Sequence, residues 1–542
     1  MSKSKRYIYA IISGVLLALS FPPLPMNYFA FFGLVPLLLA LEYEQKRMPL
    51  LMIFLTFMVY HYGSNWWISS FQAESDPFLI ITGFALALIH PIFFMVPTVS
   101  YIFIRRRLGL NVALYTFPFV WLGFEWVHSL GDLAYPWLTL GVTQVNNHYW
   151  IQIADISAVW GASFLIIWAN VIFFKMVLAL RESINRGHGF FSFLKSRKGI
   201  ILTTVFLAIL FIPKIYGSYR LGDYDHSKLL KENESVKVGI IQPSINPWRK
   251  WDSDLSKQID LHMHLQDSLV KSWGQIDFGV WSETAVTASR KTNVYRLQRW
   301  VDSSGFALLT GYADHVIYDS TNKTHTARKD PFMDNLYFDP FNSSLFISPR
   351  HAGMQPQIYH KMRLTPFGEY IPYNEEVPFL KDLVVWSVGI SGWTKGKNQH
   401  NLVLKKNDDS IKIGSIICIE SIYPDFCANF SRLGARMLVV TTNDAWYNHT
   451  AGLRQHYEMS RLRAIESRRY VARCGNSGVS GFISPTGESY REAPPYIETA
   501  IAGRVPLLEE LSFYARNGDW LPQFAVAVYV SFLLIAFFVK KR

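Results

Sequence analysis

Cysteine is scarce in this chain: Cys418, Cys427 and Cys474 are three among 542 residues, an odd count with no C-x-x-C spacing. A disulfide framework and a thiolate metal site are therefore poor explanations of the fold, and at least one thiol is expected to be free. Charge is thin as well, at 17% of residues against about 25% in average soluble domains. There is no phosphate-cradling glycine loop, no cluster of metal ligands, no solenoid repeat and no low-complexity linker. Neither a cofactor nor a metal ion is called for.

What fills the space is apolar. Half the residues are hydrophobic and 15% are aromatic, which suits a membrane protein with a substantial soluble part. Stretches long enough to cross a bilayer, or nearly so, fall at Tyr7–Phe21, Tyr28–Leu41, Leu50–Trp66, Phe78–Ile104, Val112–Leu130, Ile156–Leu180, Gly199–Ile215 and Phe524–Val539. The first follows Lys3, Lys5 and Arg6 as a signal peptide would. It has no small-x-small cleavage site, and "FPPLP" leads straight into the next stretch, so it is expected to be retained.

Charge placement gives an orientation. Lys3, Lys5, Arg6, Lys46, Arg47, Arg105, Arg106, Arg107, Arg181, Arg186, Lys195, Arg197, Lys198, Lys540, Lys541 and Arg542 all lie in one alternate set of loops and tails. The other set, around Pro22–Asn27, Ile68–Pro77 and Gly131–Asp155, holds no Lys or Arg. By the positive-inside rule both termini are cytoplasmic, and the long segment before the last span faces outward. The net charge of +12 then reflects topology and a lipid surface, not nucleic acid. The expected organisation is a bundle of seven spans over 1–219, an extracytoplasmic domain over 220–513 and an eighth span within 514–542.

In the outward segment apolar runs shorten to strand length. "VKVGIIQ", "FGVWSE", "FALLTGY", "LYFDPF", "SLFIS", "IKIGSIICIE", "MLVVTTN", "VSGFISP" and "TAIAGRV" read as strands. Helical patterns at Leu255–Trp273, Val294–Val301 and Leu453–Arg468 lie between them, indicating an α/β domain of layered sheets. Glu283 follows "FGVW", Lys361 sits in "IYHKMRLTPFGEYIP", and Cys418 ends a β-branched run containing Ile411, Ile413, Ile416 and Ile417. A thiol attacks only as thiolate, a carboxylate can take its proton, and an ammonium can stabilise the oxyanion that results. Those three groups make a complete acyl-transfer set where a fold brings them together. Spacing leaves that open: a thiol at a strand end also suits plain packing, and a single Lys or Glu is ordinarily solvated.

"WSETA" (Trp281–Ala285), "YHKMRLTPFGEYIP" (Tyr359–Pro372), "CIE" (Cys418–Glu420) and "TNDAWY" (Thr442–Tyr447) occur in an order that resembles the nitrilase, or carbon–nitrogen hydrolase, superfamily. With "FEWVHSLGDLAYPWLTLGVTQ", "QIADISAVWGASFLI" and "FYARNGDW", nearly the whole chain is similar to the apolipoprotein N-acyltransferase family. The resemblance implies eight transmembrane helices plus an αββα sandwich. It implies Glu283 as general base, Lys361 as oxyanion-stabilising cation and Cys418 as acyl-accepting nucleophile, with Glu369 and Glu420 as supporting carboxylates. Trp251 matches an aromatic at the substrate entrance, and an interfacial membrane tryptophan is the competing explanation. Ile419 stands where many members carry an aromatic, "WSET" replaces "PET", and Cys474 replaces a non-cysteine residue. Glu125, inside the fifth span, is expected to pair with His128 or cap an outer loop.

The implied reaction is a two-step transfer from a membrane phospholipid through a cysteine thioester to the amine of a diacylglyceryl apolipoprotein. It takes place in a bacterial inner membrane, on a monomer whose catalytic domain faces the periplasm. The alternatives are a membrane-tethered amidase or nitrilase acting on a soluble substrate, and a transporter with an outer binding domain. The transporter alternative requires internal repeats or paired intramembrane charges, and the sequence offers only Glu125.

Overall fold

A computed structural model describes residues 1–43, 48–69, 77–250, 254–287, 291–330, 333–373, 392–407 and 409–539. The chain divides into two compact units, one of Met1–Ser69, Leu79–Asp223 and Asn517–Arg542, the other running chiefly over Tyr224–Arg516.

The first unit is helical, with α1 (Lys3–Leu19), α2 (Val35–Glu42), α3 (Leu50–Asn65), α4 (Pro77–Leu108), α5 (Leu110–His128), α6 (Ala154–Asn185), α7 (Phe190–Lys195), α8 (Arg197–Asp223) and a C-terminal helix, Trp520–Phe538. Among the described residues, four stretches are long and apolar enough to cross a membrane: Leu79–Leu108, Trp150–Asn185, Arg197–Glu232 and Trp520–Phe538. The expected second span is not one helix. Asn27–Phe31 forms a 3₁₀ turn, and α2 starts only at Val35 with Pro36 in its first turn, where a missing N–H is tolerated. Glu125 is buried and accepts from Trp121 Nε1 and from the Leu140 amide, both at 2.9 Å, so it caps the loop after α5.

The second unit contains α9 (His226–Glu232), β1 (Ser235–Gln242), α10 (Leu255–Trp273), β2 (Phe278–Trp281), β3 (Val286–Thr287), α11 (Lys291–Ser304), β4 (Ala307–Asp319), β5 (Arg328–Lys329), β6 (Leu336–Ile347), β7 (Gln357–His360), β8 (Leu402–Lys406), β9 (Asp409–Ile417), α12 (Pro424–Arg432), β10 (Met437–Thr442), α13 (Ala451–Ser467), β11 (Val471–Gly475), β12 (Ser480–Ile483), β13 (Ser489–Ala493) and β14 (Thr499–Pro506). One sheet has the order β14-β1-β2-β4-β6-β5, with β3 on β4 and β7 on β6. The other has the order β13-β12-β11-β10-β9-β8. The pairs β1/β2, β2/β4, β9/β10 and β10/β11 are parallel, so these central strands are covered on both faces over most of their length.

Alternation along the strands builds the layers. Val236, Val238 and Ile240 of β1, Phe278 and Val280 of β2, and Leu309 of β4 share a core with Ile413, Leu438 and Val440 of the other sheet. The alternate residues Ile241, Trp281, Leu308 and Ile347 pack with Ile259, Leu269, Leu297 and Val301 of α10 and α11. On the second sheet α12 and α13 supply the helical cover through Phe430 and Ala464. The result is an αββα sandwich. Two expected strands, "LYFDPF" and "SLFIS", are a single strand, β6, despite Pro340. Its edge pairs with β5 at Tyr337 and Phe338 and with β7 from Ser343 onward, and Pro340 falls in the gap between them.

Candidate active site

Three of the expected residues leave their strands on the same side of the sandwich. Cys418 follows β9 and takes φ of 52°, a left-handed conformation that a residue with a Cβ adopts only when its surroundings impose it. Its thiol is free and the residue as a whole is partly buried, whereas Cys427 and Cys474 are buried. Burial pushes the Cys418 thiol up and Glu283 adds to this, while Lys361 opposes both. The resting sulfur is therefore a thiol, and a base has to remove its proton as it attacks.

Glu283 lies just beyond β2, in a turn where Thr284 has φ of 52°. Gly311 of β4 permits that turn to approach, since a Cβ there would come within 2.2 Å of the Thr284 nitrogen. Lys250, buried in the same region, holds the turn by donating to the Glu283 carbonyl at 3.2 Å and to the Thr284 hydroxyl at 2.8 Å. Burial lowers the Lys250 ammonium to about 8 against the opposing pull of Glu283.

Lys361 begins where β7 stops and is 1% exposed. Its ammonium donates to Glu283 Oε1 at 3.0 Å and to Glu369 Oε1 at 2.8 Å. Asn342 of β6 donates to the same two oxygens, at 2.7 and 3.0 Å. Burial alone would lower the Lys361 ammonium, but Glu283 and Glu369 outweigh it and hold it well above the usual lysine range. Burial likewise acts to raise Glu369, and Lys361 with the Thr365 amide and Asn342 brings it net below the usual carboxylate range. A fixed cation beside a carboxylate can stabilise an oxyanion without reorganising.

Glu420 ties the two loops together. One oxygen accepts from the Ile417 amide at 2.8 Å; the other accepts from the Met362 amide at 2.7 Å and the Tyr359 hydroxyl at 2.8 Å. One carboxylate thus joins the turn of Cys418 to the turn of Lys361. Burial pushes Glu420 up to about 7 against those donors.

The structure therefore brings Glu283, Lys361 and Glu369 into direct contact and couples Cys418 to them, with Glu420 bridging. Trp251 lies outside the described residues. Trp248, nearby in the chain, packs edge-on against Trp446 at 5.0 Å. Ile419 is buried, and the Cys474 thiol donates to the Ile241 carbonyl at 3.1 Å, packing one sheet on the other. Asn342 and Lys250 escaped the sequence reading, because one amide inside a strand and one lysine in a loop carry no pattern. Asp444 and His456 were passed over too, though Asp444 stands in the quoted "TNDAWY". Ligand atoms of Cys418, Asp444 and His456 lie within 4.8 Å of one another, a spacing a metal ion could use. The donors and acceptors of Asp444 and His456 are already engaged with Arg473, Thr442, Ser421 and each other.

Residues 13–172 match the family described as the apolipoprotein N-acyltransferase N-terminal domain, and residues 237–508 match carbon-nitrogen hydrolase. The chain is 30% identical to the apolipoprotein N-acyltransferase of Chlorobaculum tepidum, with 99% of this chain and 98% of the relative covered. It is 29% identical to that of Geobacter metallireducens, covering 95% and 92%. The crystal structure of Saccharomyces cerevisiae Nit3, a member of branch 10 of the nitrilase superfamily, aligns with a TM-score of 0.37 and 16% identity, over 53% of this chain and 95% of that one. With near-complete coverage and both parts matched, the chain belongs to the apolipoprotein N-acyltransferase family, its second unit being a carbon–nitrogen hydrolase domain.

Proposed function

We propose that this protein N-acylates apolipoproteins, with a membrane phospholipid as donor and Cys418 as the carrier of the acyl chain. The observation that carries the reading is the buried Lys361 shared by Glu283 and Glu369 and bridged through Glu420 to the Cys418 turn.

Glu283 takes the thiol proton as the Cys418 sulfur attacks the ester carbonyl of the phospholipid. Lys361 stabilises the tetrahedral oxyanion, and Glu369 keeps Lys361 charged and in place. Collapse breaks the ester C–O bond, and the departing lysophospholipid oxygen takes the proton from Glu283. The acyl chain remains as a thioester. The free α-amine of a diacylglyceryl-cysteine then attacks; Glu283 accepts its proton and returns it to the departing sulfur. An amide has formed, the thiol is restored, and no metal or redox partner enters the balance.

Both substrates are lipids, which gives a reason for joining a hydrolase-like domain to a membrane unit. Basic residues confined to alternate loops support eight crossings, cytoplasmic termini and a periplasmic catalytic domain in the inner membrane of a bacterium. Among the described residues, four of the eight are helices long and apolar enough to cross alone. A soluble-substrate amidase accounts for residues 237–508 but gives no role to residues 13–172. The test is to incubate the purified protein with phospholipid and weigh it intact. An acyl-sized adduct on Cys418, with equimolar lysophospholipid, is expected; acyl release to water at the same rate without a lipopeptide acceptor would contradict the reading.

A further inference from the structure

The segment after β10 and the helix α13 bring a second group of polar side chains up to Cys418. Asp444 and His456 are both buried there. His456 Nδ1 lies 2.6 Å from Asp444 Oδ1. The Thr442 hydroxyl donates to the same oxygen at 2.8 Å, and Arg473, fully buried on β11, donates to Asp444 Oδ2 at 2.7 Å. Gly478 leaves room for this carboxylate, since a Cβ there would come within 2.5 Å of Asp444 Oδ2. Burial would raise Asp444, but Arg473 and His456 overcome it and keep the group ionised.

The other ring nitrogen turns to the backbone. His456 Nε2 lies 3.1 Å from the Cys418 carbonyl oxygen and 2.9 Å from Ser421 Oγ. Ser421 Oγ is 2.8 Å from the same carbonyl oxygen. A carbonyl oxygen only accepts, so these mutual contacts need two hydrogens, and the Ser421 hydroxyl supplies one. The second is placed on His456 Nε2. The ring is then anchored at one end by a carboxylate and donates at the other. What it donates to is the peptide of Cys418, the residue held at φ of 52°. Without such donors that peptide has less to keep it in a left-handed conformation.

We infer that His456 is a positioning residue for the acyl transfer, its ring seated on Asp444 and holding the Cys418 carbonyl so that the strained turn presents the thiol. Ser421 is the second donor of the same clamp. The inference rests on Cys418 being the acyl carrier and does not depend on which phospholipid is the donor.

The experiment follows the Cys418 adduct by intact mass against phospholipid concentration, with full-length protein in detergent. His456→Gln keeps an N–H donor at similar reach, and His456→Met has similar length and no donor. The Gln variant is expected within fivefold of wild type. The Met variant is expected to be about thirtyfold slower at saturating lipid, with the half-saturating concentration changed less than twofold. A Met variant less than tenfold slower overturns the inference, as does a Gln variant that falls as far as Met. Ser421→Ala reads the same clamp where Met does not fold: a threefold or larger fall supports it, and a smaller one overturns it. If wild-type protein forms no adduct, the thioester reading itself fails, a result distinct from normal acylation in the Met variant.

Discussion

Replacing Lys361 by Met removes the cation that Glu283 and Glu369 share while keeping most of the side-chain volume. The ammonium lies 3.0 Å and 2.8 Å from the two carboxylates, in a site from which it is 1% exposed. Asn342 would then be left donating to both oxygens. Removing one partner from a buried ionic group costs about 3–5 kcal/mol. The pH dependence follows from Glu369. In wild type its carboxyl is held below the ordinary range, so it adds stability above its unfolded pKa that is lost as pH falls through the folded value. In the variant only the Thr365 amide and Asn342 are left to oppose burial, and the sign reverses: the protein is weakest at high pH and recovers as a proton enters between the carboxylates. Thermal unfolding in detergent should show a wild-type advantage of about 10 °C at pH 8, taking roughly 2–4 °C per kcal/mol, and a smaller one at pH 5. Adding Glu369→Gln should restore part of the loss at pH 8. Acylation should stay at least about a hundredfold down throughout, the value of one oxyanion donor. An advantage of equal size at both pH values, or none, would refute the electrostatic account of this cluster.

Cys418→Ser should abolish acyl transfer in a protein that still folds, while Cys427→Ser and Cys474→Ser keep most activity, as measured by N-acylation of a diacylglyceryl peptide. Glu420→Gln should cut adduct formation by about tenfold or more, because an amide nitrogen would face backbone N–H donors now served by a carboxylate oxygen; an unchanged rate in the mass assay would remove Glu420 from the positioning role. An alkaline phosphatase fused after Ser410 should be active and one fused after Arg186 inactive, and the reverse pattern would exclude a periplasmic catalytic domain.

Most central strands are legible because their buried stretches are largely apolar, as in β9 and β10, whereas β11, interrupted by Arg473, is not. The helix at Leu255–Trp273 is legible to the residue as a helical pattern, and the structure caps it with Asp254. Among the edge strands, β14 is legible as "TAIAGRV", whereas β5, β7, β8 and β13 are not. β7, β8 and β13 alternate with solvent-facing residues and have no run to betray them. Pro340 suggested a break in β6 that the chain avoids by placing it between two edge partners. In the site, Glu283, Lys361 and Cys418 stood out as polar groups at the ends of apolar runs. Asn342, Lys250, Asp444 and His456 act only through contacts made across the fold, from β6, a loop and α13, and no local pattern announces them.

The most direct measurement is the mass of the intact, full-length protein, quenched in acid after mixing with phospholipid and again after adding a diacylglyceryl-cysteine peptide. The account predicts one acyl chain on the peptide containing Cys418 in the first sample. In the second, that adduct disappears and an equal amount of N-acylated peptide appears. N-acylated peptide formed with no adduct on Cys418 at any time, or an adduct that the peptide cannot discharge, would contradict it.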